Sequence, residues 1–148
     1  MSARLFVICG LPGSGKTTLA RQLEGAHDAV RYCPDDAMVS LWDQEERARV
    51  EHEMWQDAKS QLSRGVNVVV EFGSWSRAER DRLRAGAHAV GAAVELRYLD
   101  VPVDELARRV ETRGREDPPI TRVHLEAWAA LIEVPTADEL ALFDTPVA

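Results

Sequence analysis

Apolar residues fall in short unbroken blocks, separated by longer stretches in which they recur every three or four positions. This is the alternation of buried strands with one-sided helices. Arg4 to Cys9 (RLFVIC) is the first block and predicts a strand buried on both faces, ending at Gly10. From Lys16 to Glu24, Leu19 and Leu23 stand one turn apart and predict a helix. Ala29 to Cys33 (AVRYC) predicts a weaker second strand, stopped by Pro34 and followed by Asp35 and Asp36. Between Asp43 and Arg64, Val50, Met54, Ala58 and Leu62 share one face of a long amphipathic helix that Gly65 stops. Val66 to Phe72 (VNVVVEF) predicts a third buried strand, Ser76 to Val90 a helix with a serine N-cap, and Ala93 to Leu99 a fourth strand. Pro102 to Arg113, with proline in its first turn, and Thr121 to Leu131, capped by threonine, predict two more helices around the charged loop Gly114 to Ile120. The tail from Glu133 reads as loop and a short helix.

Four strands separated by helical stretches predict an α/β fold with a mostly parallel sheet. No repeat or linker divides the 148 residues, so one domain spanning 1–148 is expected. In such sheets ligands bind beyond the carboxyl ends of the strands. Those ends carry Gly10 onward, Asp35 with Asp36, and Glu71 to Trp75.

Gly10-Leu11-Pro12-Gly13-Ser14-Gly15-Lys16-Thr17 fits the pattern G-x-x-x-x-G-K-[ST], and it lies between a predicted strand and a predicted helix. Glycines let the backbone turn so that successive N–H groups face phosphate oxygens, and the helix that starts at Gly15 or Lys16 adds its positive end. The candidate nucleotide-binding residues are Gly10, Pro12, Gly13, Ser14, Gly15, Lys16, Thr17 and the adjacent Thr18. Lys16 is expected to reach the β- and γ-phosphates and the Thr17 hydroxyl to hold Mg²⁺. The guanine-reading run N-K-x-D is missing, which favours ATP.

Phosphate transfer to a hydroxyl requires a carboxylate that takes or orients the acceptor's proton. Asp35 is the first candidate and Asp36 its alternative; Asp35 as a simple helix N-cap is the competing structural reading. Glu71 ends a run of valines, where a charge needs a partner or a metal, so it either acts toward Mg²⁺ or its water or pairs with an arginine. Trp75 is placed to wall the acceptor site, with Arg77 and Arg80 as candidate contacts to acceptor or phosphate or else ordinary helix surface. Arg109 and Arg113 are four residues apart and share a face, with Arg115 in the loop beyond. They read as a mobile lid over the γ-phosphate, or as surface partners of Glu105 or Glu111.

A formal net charge of −7 opposes a broad nucleic-acid-binding face, whereas a small anionic ligand needs only a local basic pocket. Lys16 and Lys59 are the only lysines among 18 basic residues, and one of them sits in the loop motif. Two cysteines, Cys9 and Cys33, are too few for a disulfide scaffold and lack zinc-site spacing. Leu5 to Cys9 is far short of the roughly 20 apolar residues of a membrane span, and no basic segment leads into a cleavable signal. A cytoplasmic location without membrane attachment is expected.

On Gly10 to Thr17, Cys-Pro-Asp35-Asp36, Glu71-Phe-Gly-Ser-Trp75-Ser-Arg77, the helix with Arg109 and Arg113, and the tail Glu133-Val-Pro135-Thr-Ala-Asp138-Glu139, the chain resembles the short AAA-type P-loop kinases. These are close to the polynucleotide kinase, zeta-toxin and chloramphenicol phosphotransferase group. The resemblance implies a P-loop NTPase three-layer sandwich with sheet order 2-3-1-4 and a small lid. It also implies Asp35 as base, Arg109 and Arg113 as lid arginines near adenine and phosphates, and Pro135 near the adenine. That order sets the ends of the first two strands two spacings apart, so Cys9 and Cys33 are expected to stay free. Glu71 stands where many relatives have Asp, and Met38 stands about where polynucleotide and zeta-like relatives have Arg. The function expected is transfer of the γ-phosphate of MgATP to a hydroxyl of a small-molecule acceptor. A 5′-hydroxyl polynucleotide kinase and an ATP-binding or ATP-hydrolysing switch are the alternatives.

Overall fold

The computed structural model describes residues 2–147. In chain order the elements are β1 (Arg4–Cys9), α1 (Lys16–His27), β2 (Val30–Tyr32), α2 (Pro34–Ala37), α3 (Gln44–Ser63), β3 (Val68–Gly73), α4 (Arg77–Ala89), β4 (Ala93–Tyr98), α5 (Val103–Arg113), α6 (Arg122–Leu131) and α7 (Ala137–Leu140). The strands form one parallel sheet in the order β2-β3-β1-β4.

β1 lies inside the sheet, and its alternate residues serve opposite faces. Phe6 and Ile8 pack with Ala20 and Leu23 of α1 and with Val69, while Leu5, Val7 and Cys9 pack with Trp55, Ala58 and Leu62 of α3 and with Leu83 and Ala87 of α4. Leu5 through Cys9 are fully buried, at about 2 kcal/mol per large apolar side chain. The result is a three-layer sandwich with α1 on one face and α3 and α4 on the other. Outside these layers, α5 and α6 share a smaller apolar cluster with Leu11 of the glycine loop, made of Leu106, Val110 and Leu125.

The polar signals at helix starts behave as their chemistry demands. Asp43, Ser76 and Thr121 accept hydrogen bonds from the backbone N–H of Glu46, Glu79 and His124. Pro102 is the N-cap residue of α5 rather than part of its first turn. β2 is shorter than its apolar run because Cys33 already caps α2 and Pro34 occupies the first helical position. Asp35 therefore sits within the first turn of α2, and its reading as the N-cap is corrected. Cys9 and Cys33 are both free and buried. Among the described residues, no helix is long and apolar enough to cross a membrane.

Candidate functional site

Residues 10–15 leave the end of β1 and enter α1 through Gly15, whose φ is 98°. Gly13 has φ +85°, and a Cβ there would stand 3.1 Å from Val110 Cγ1 and 3.2 Å from the Leu106 carbonyl. Only glycine lets α5 press this closely on the loop. That contact brings Arg109 to the loop, where its Nη1 donates to the Gly13 carbonyl at 3.1 Å and its Nε to Glu105 at 2.9 Å. Arg109 thus pairs with Glu105 and reaches the glycine loop as well.

Lys16 Nζ donates to the carbonyls of Gly10 (3.2 Å) and Leu11 (3.1 Å). Burial holds its pKa down to about 8; Asp35 opposes that shift and Arg113 reinforces it. Thr17 Oγ1 donates to Glu71 Oε1 at 2.7 Å, and Arg31 Nη1 donates to Glu71 Oε2 at 2.5 Å. Glu71 is thus a carboxylate beside the Thr17 hydroxyl and one half of a buried ion pair that offsets its desolvation. No group of three His, Cys, Asp or Glu among the described residues is arranged to hold a metal. A hydroxyl and a carboxylate side by side are hard oxygen donors, which suit Mg²⁺ held by one or two side chains, waters and phosphate oxygens.

A cavity of about 1390 Å³ opens over this loop and is lined by Pro12, Gly13, Gly15, Lys16, Thr17 and Thr18, among others. Gly10 and Ser14 lie behind the lining: Gly10 accepts from Lys16 and from Trp75, and Ser14 is buried. Asp35 faces the cavity, where Arg47 Nη2 donates to its Oδ1 at 2.8 Å. Asp36 is outside the cavity lining and pairs with Arg31 (2.9 Å) and Arg115 (3.3 Å). Trp75 walls the cavity, held by its Nε1 donating to the Gly10 carbonyl at 3.1 Å. Arg113, which pairs with Glu116 at 2.7 Å, and Arg115 line the same cavity as Arg109.

Two expectations, for Arg77 and Arg80, are corrected. Arg77 lies on the outer side of α4, 3.5 Å from Asp81, and does not line the cavity. Arg80 is neither helix surface nor a ligand contact: it is fully buried, with Nε 2.6 Å from Glu139 Oε2 and its other nitrogens on the carbonyls of Ser74, Trp75 and Glu133. Pro135 is not among the residues lining the cavity, and the chain on either side of it is bound to Arg80 of α4 through the Glu133 carbonyl and the Glu139 carboxylate.

Reading the residues one by one missed Arg47, Glu51, Glu79 and Trp128, all of which line the cavity. Burial pushes the Glu51 carboxyl up to about 7; Arg47 opposes this and Glu79 adds to it. One signal was available. Gln44, Arg47, Ala48 and Glu51 recur at helical spacing on the stripe of α3 that continues as the buried Trp55, Ala58 and Leu62, so the core face turns polar where it follows the Asp35 segment.

A family model described as an AAA domain matches residues 5–136. Among solved structures, the Pnkp1/Rnl/Hen1 RNA repair complex contains a chain that superposes with a TM-score of 0.75 at 23% identity, covering 97% of this chain and 47% of that one. The present chain thus spans about half the length of that relative. Kti12 of Chaetomium thermophilum, solved with ADP-AlF3, has a TM-score of 0.67 at 23% identity, with 89% and 81% of the two chains covered. A gluconokinase from Sinorhizobium meliloti 1021 has a TM-score of 0.63 at 18% identity, with 93% and 78% covered. No curated protein matches. The strand order, the glycine loop between β1 and α1 and the match over residues 5–136 agree, and the chain belongs to the AAA domain family with a P-loop kinase-like fold.

Proposed function

We propose that residues 1–148 act as one cytoplasmic P-loop kinase domain that transfers the γ-phosphate of ATP to a hydroxyl of a small-molecule acceptor. The observation that carries this reading is that Asp35 and Lys16 line one cavity and interact electrostatically across it. The carboxylate needed by the acceptor thus shares a cavity with the cation needed by the phosphates.

Residues Gly10 to Thr18 bind the phosphates through backbone N–H groups and Lys16. Thr17 and Glu71 would hold Mg²⁺, which when bound neutralises charge on the phosphate oxygens. Arg47 orients Asp35. The acceptor oxygen forms a bond to the γ-phosphorus, its proton passes to Asp35, and the bond from the γ-phosphorus to the β–γ bridging oxygen breaks to release ADP. Arg109 and Arg113 stabilise the charge that spreads over the transferring oxygens.

A 5′-hydroxyl polynucleotide kinase is the second reading, favoured by the superposition on a chain of an RNA repair complex. The net charge of −7 weighs against it. The deciding experiment measures ADP release from MgATP with a panel of hydroxyl compounds and a 5′-hydroxyl oligonucleotide. Acceptor-dependent release is expected to fall at least about 100-fold in Asp35→Asn and to vanish in Lys16→Ala. An Asp35→Asn variant that matches the parent would overturn Asp35 as the proton acceptor. Stimulation by the oligonucleotide alone would establish the second reading.

A further inference from the structure

Charge is unevenly distributed inside the cavity, with Glu71 and Glu116 balancing the cations at one end through Thr17, Arg31 and Arg113. Lys16, Arg109 and Arg113 gather at the glycine loop, where Arg109 bonds Gly13 and Arg113 acts electrostatically on Lys16. The end formed by α2, α3 and the start of α4 carries three carboxylates, Asp35, Glu51 and Glu79, against one lining cation, Arg47. Arg47 is already engaged by Asp35 and the Leu41 carbonyl. Glu79 accepts only from Ser76 Oγ, at 3.1 Å, and its own backbone N–H is taken by the same hydroxyl. Glu51 has no hydrogen-bond or ion-pair partner among the described residues; Arg47 and the exposed Arg82 act on it electrostatically, as do Glu79 and Asp35.

A half-buried carboxylate near two others, with no ion pair among the described residues, favours a cation brought close to it. An anionic acceptor brought to this end would meet the Asp35 and Glu79 carboxylates and, above about pH 7, an ionised Glu51, with the Arg47 guanidinium already paired. Aromatic faces border the same space: Trp75 and Trp128 have ring centroids 5.8 Å apart, and Trp128 and Trp42 5.9 Å apart. Indole faces suit both the C–H side of a saturated ring and a nearby ammonium.

We infer that the acceptor is an amine-bearing polyol, an amino sugar or aminocyclitol, whose ammonium is held by Glu51 and Glu79 while one hydroxyl faces Asp35. This inference rests on the phosphotransfer reading for the hydroxyl but on the cavity alone for the amine. The ammonium makes and breaks no bond; it orients the ring, and its proton count is unchanged through transfer.

The test uses glucosamine and 2-deoxystreptamine against glucose, myo-inositol and gluconate, both in ADP release with MgATP and in calorimetric binding with a non-hydrolysable ATP analogue. The amines are expected to bind and turn over better than their neutral and anionic counterparts. Glu51→Gln and Glu79→Gln are each expected to raise KM for the amine about tenfold, the loss of one charge-assisted contact. The KM for ATP in both variants should stay at the parent value, which also shows that they are folded. Equal or better turnover with glucose, myo-inositol or gluconate overturns the inference, as does failure of both amines to bind a protein that binds the ATP analogue. Amine binding that depends on Glu51 but gives no phosphate transfer supports the inference and sinks the phosphotransfer reading instead.

Discussion

Lys16 has to be charged to hold phosphate, yet it sits where charge is poorly solvated. Its ammonium rests on the Gly10 and Leu11 carbonyls, and burial lowers its pKa to about 8 from the ordinary 10.5. A polyphosphate placed beside it favours the charged form and raises that pKa. The sign of the linkage follows: above about pH 8 the unliganded lysine has lost its proton and nucleotide binding must restore it, while well below pH 8 it is already protonated. Binding of ATP is therefore expected to take up a number of protons approaching one near pH 9, and only about a tenth of a proton at pH 7. Titration calorimetry in two buffers of unlike ionisation enthalpy reads this directly. The same heat in both buffers at pH 9 would mean that Lys16 is not the group titrating at the phosphates.

At the scale of elements, the lid is defined by what it touches. The segment from α5 through α6 leans on the loop between α2 and α3, with Trp42 Nε1 donating to the Pro118 carbonyl at 2.7 Å and Arg115 on Asp36. Trp42 also packs on His124 (centroids 4.9 Å apart) and Trp128, and His124 stacks on Trp128 at 5.6 Å. Aromatic pairs of this kind contribute about 0.5–1.5 kcal/mol each, and the hydrogen bond about 1 kcal/mol. Trp42→Ala is expected to speed amide hydrogen exchange across residues 114–131 by at least about tenfold while leaving β1 at its parent rate. Equal acceleration in β1 would show that Trp42 supports the whole fold rather than the lid. That Arg109 and Arg113 line one cavity was legible because a four-residue spacing fixes a shared face whatever lies beneath it. The tryptophan contacts were not, since Trp42 and Trp128 are 86 positions apart and meet only through the path of the loop.

For the molecule as a whole, what could be read from the chain was what local chemistry decides. β1 and the start of α1 follow from an apolar run and a glycine loop, and the sheet order was available only through family resemblance. Arg80 shows the opposite case. It sits three and seven residues before Leu83 and Ala87, on the buried face of α4, so its position was that of a core residue, but its charge pointed to solvent or ligand. Its partner Glu139 arrives from the C-terminal tail, 59 positions away, and no local pattern links the two. Together they fix the tail beneath the Ser74–Trp75 carbonyls, and Trp75 in turn holds Gly10. Removing one member of a buried pair leaves the other charge without compensation, typically at about 3–5 kcal/mol, whereas replacing both with apolar side chains removes the desolvation cost as well. Arg80→Met is therefore expected to lower unfolding free energy by about 3 kcal/mol in urea titration. Arg80→Met combined with Glu139→Leu should lose clearly less than the sum of the single losses. Strict additivity would show that the pair is not coupled and that Arg80 stabilises the fold only through its backbone carbonyl partners.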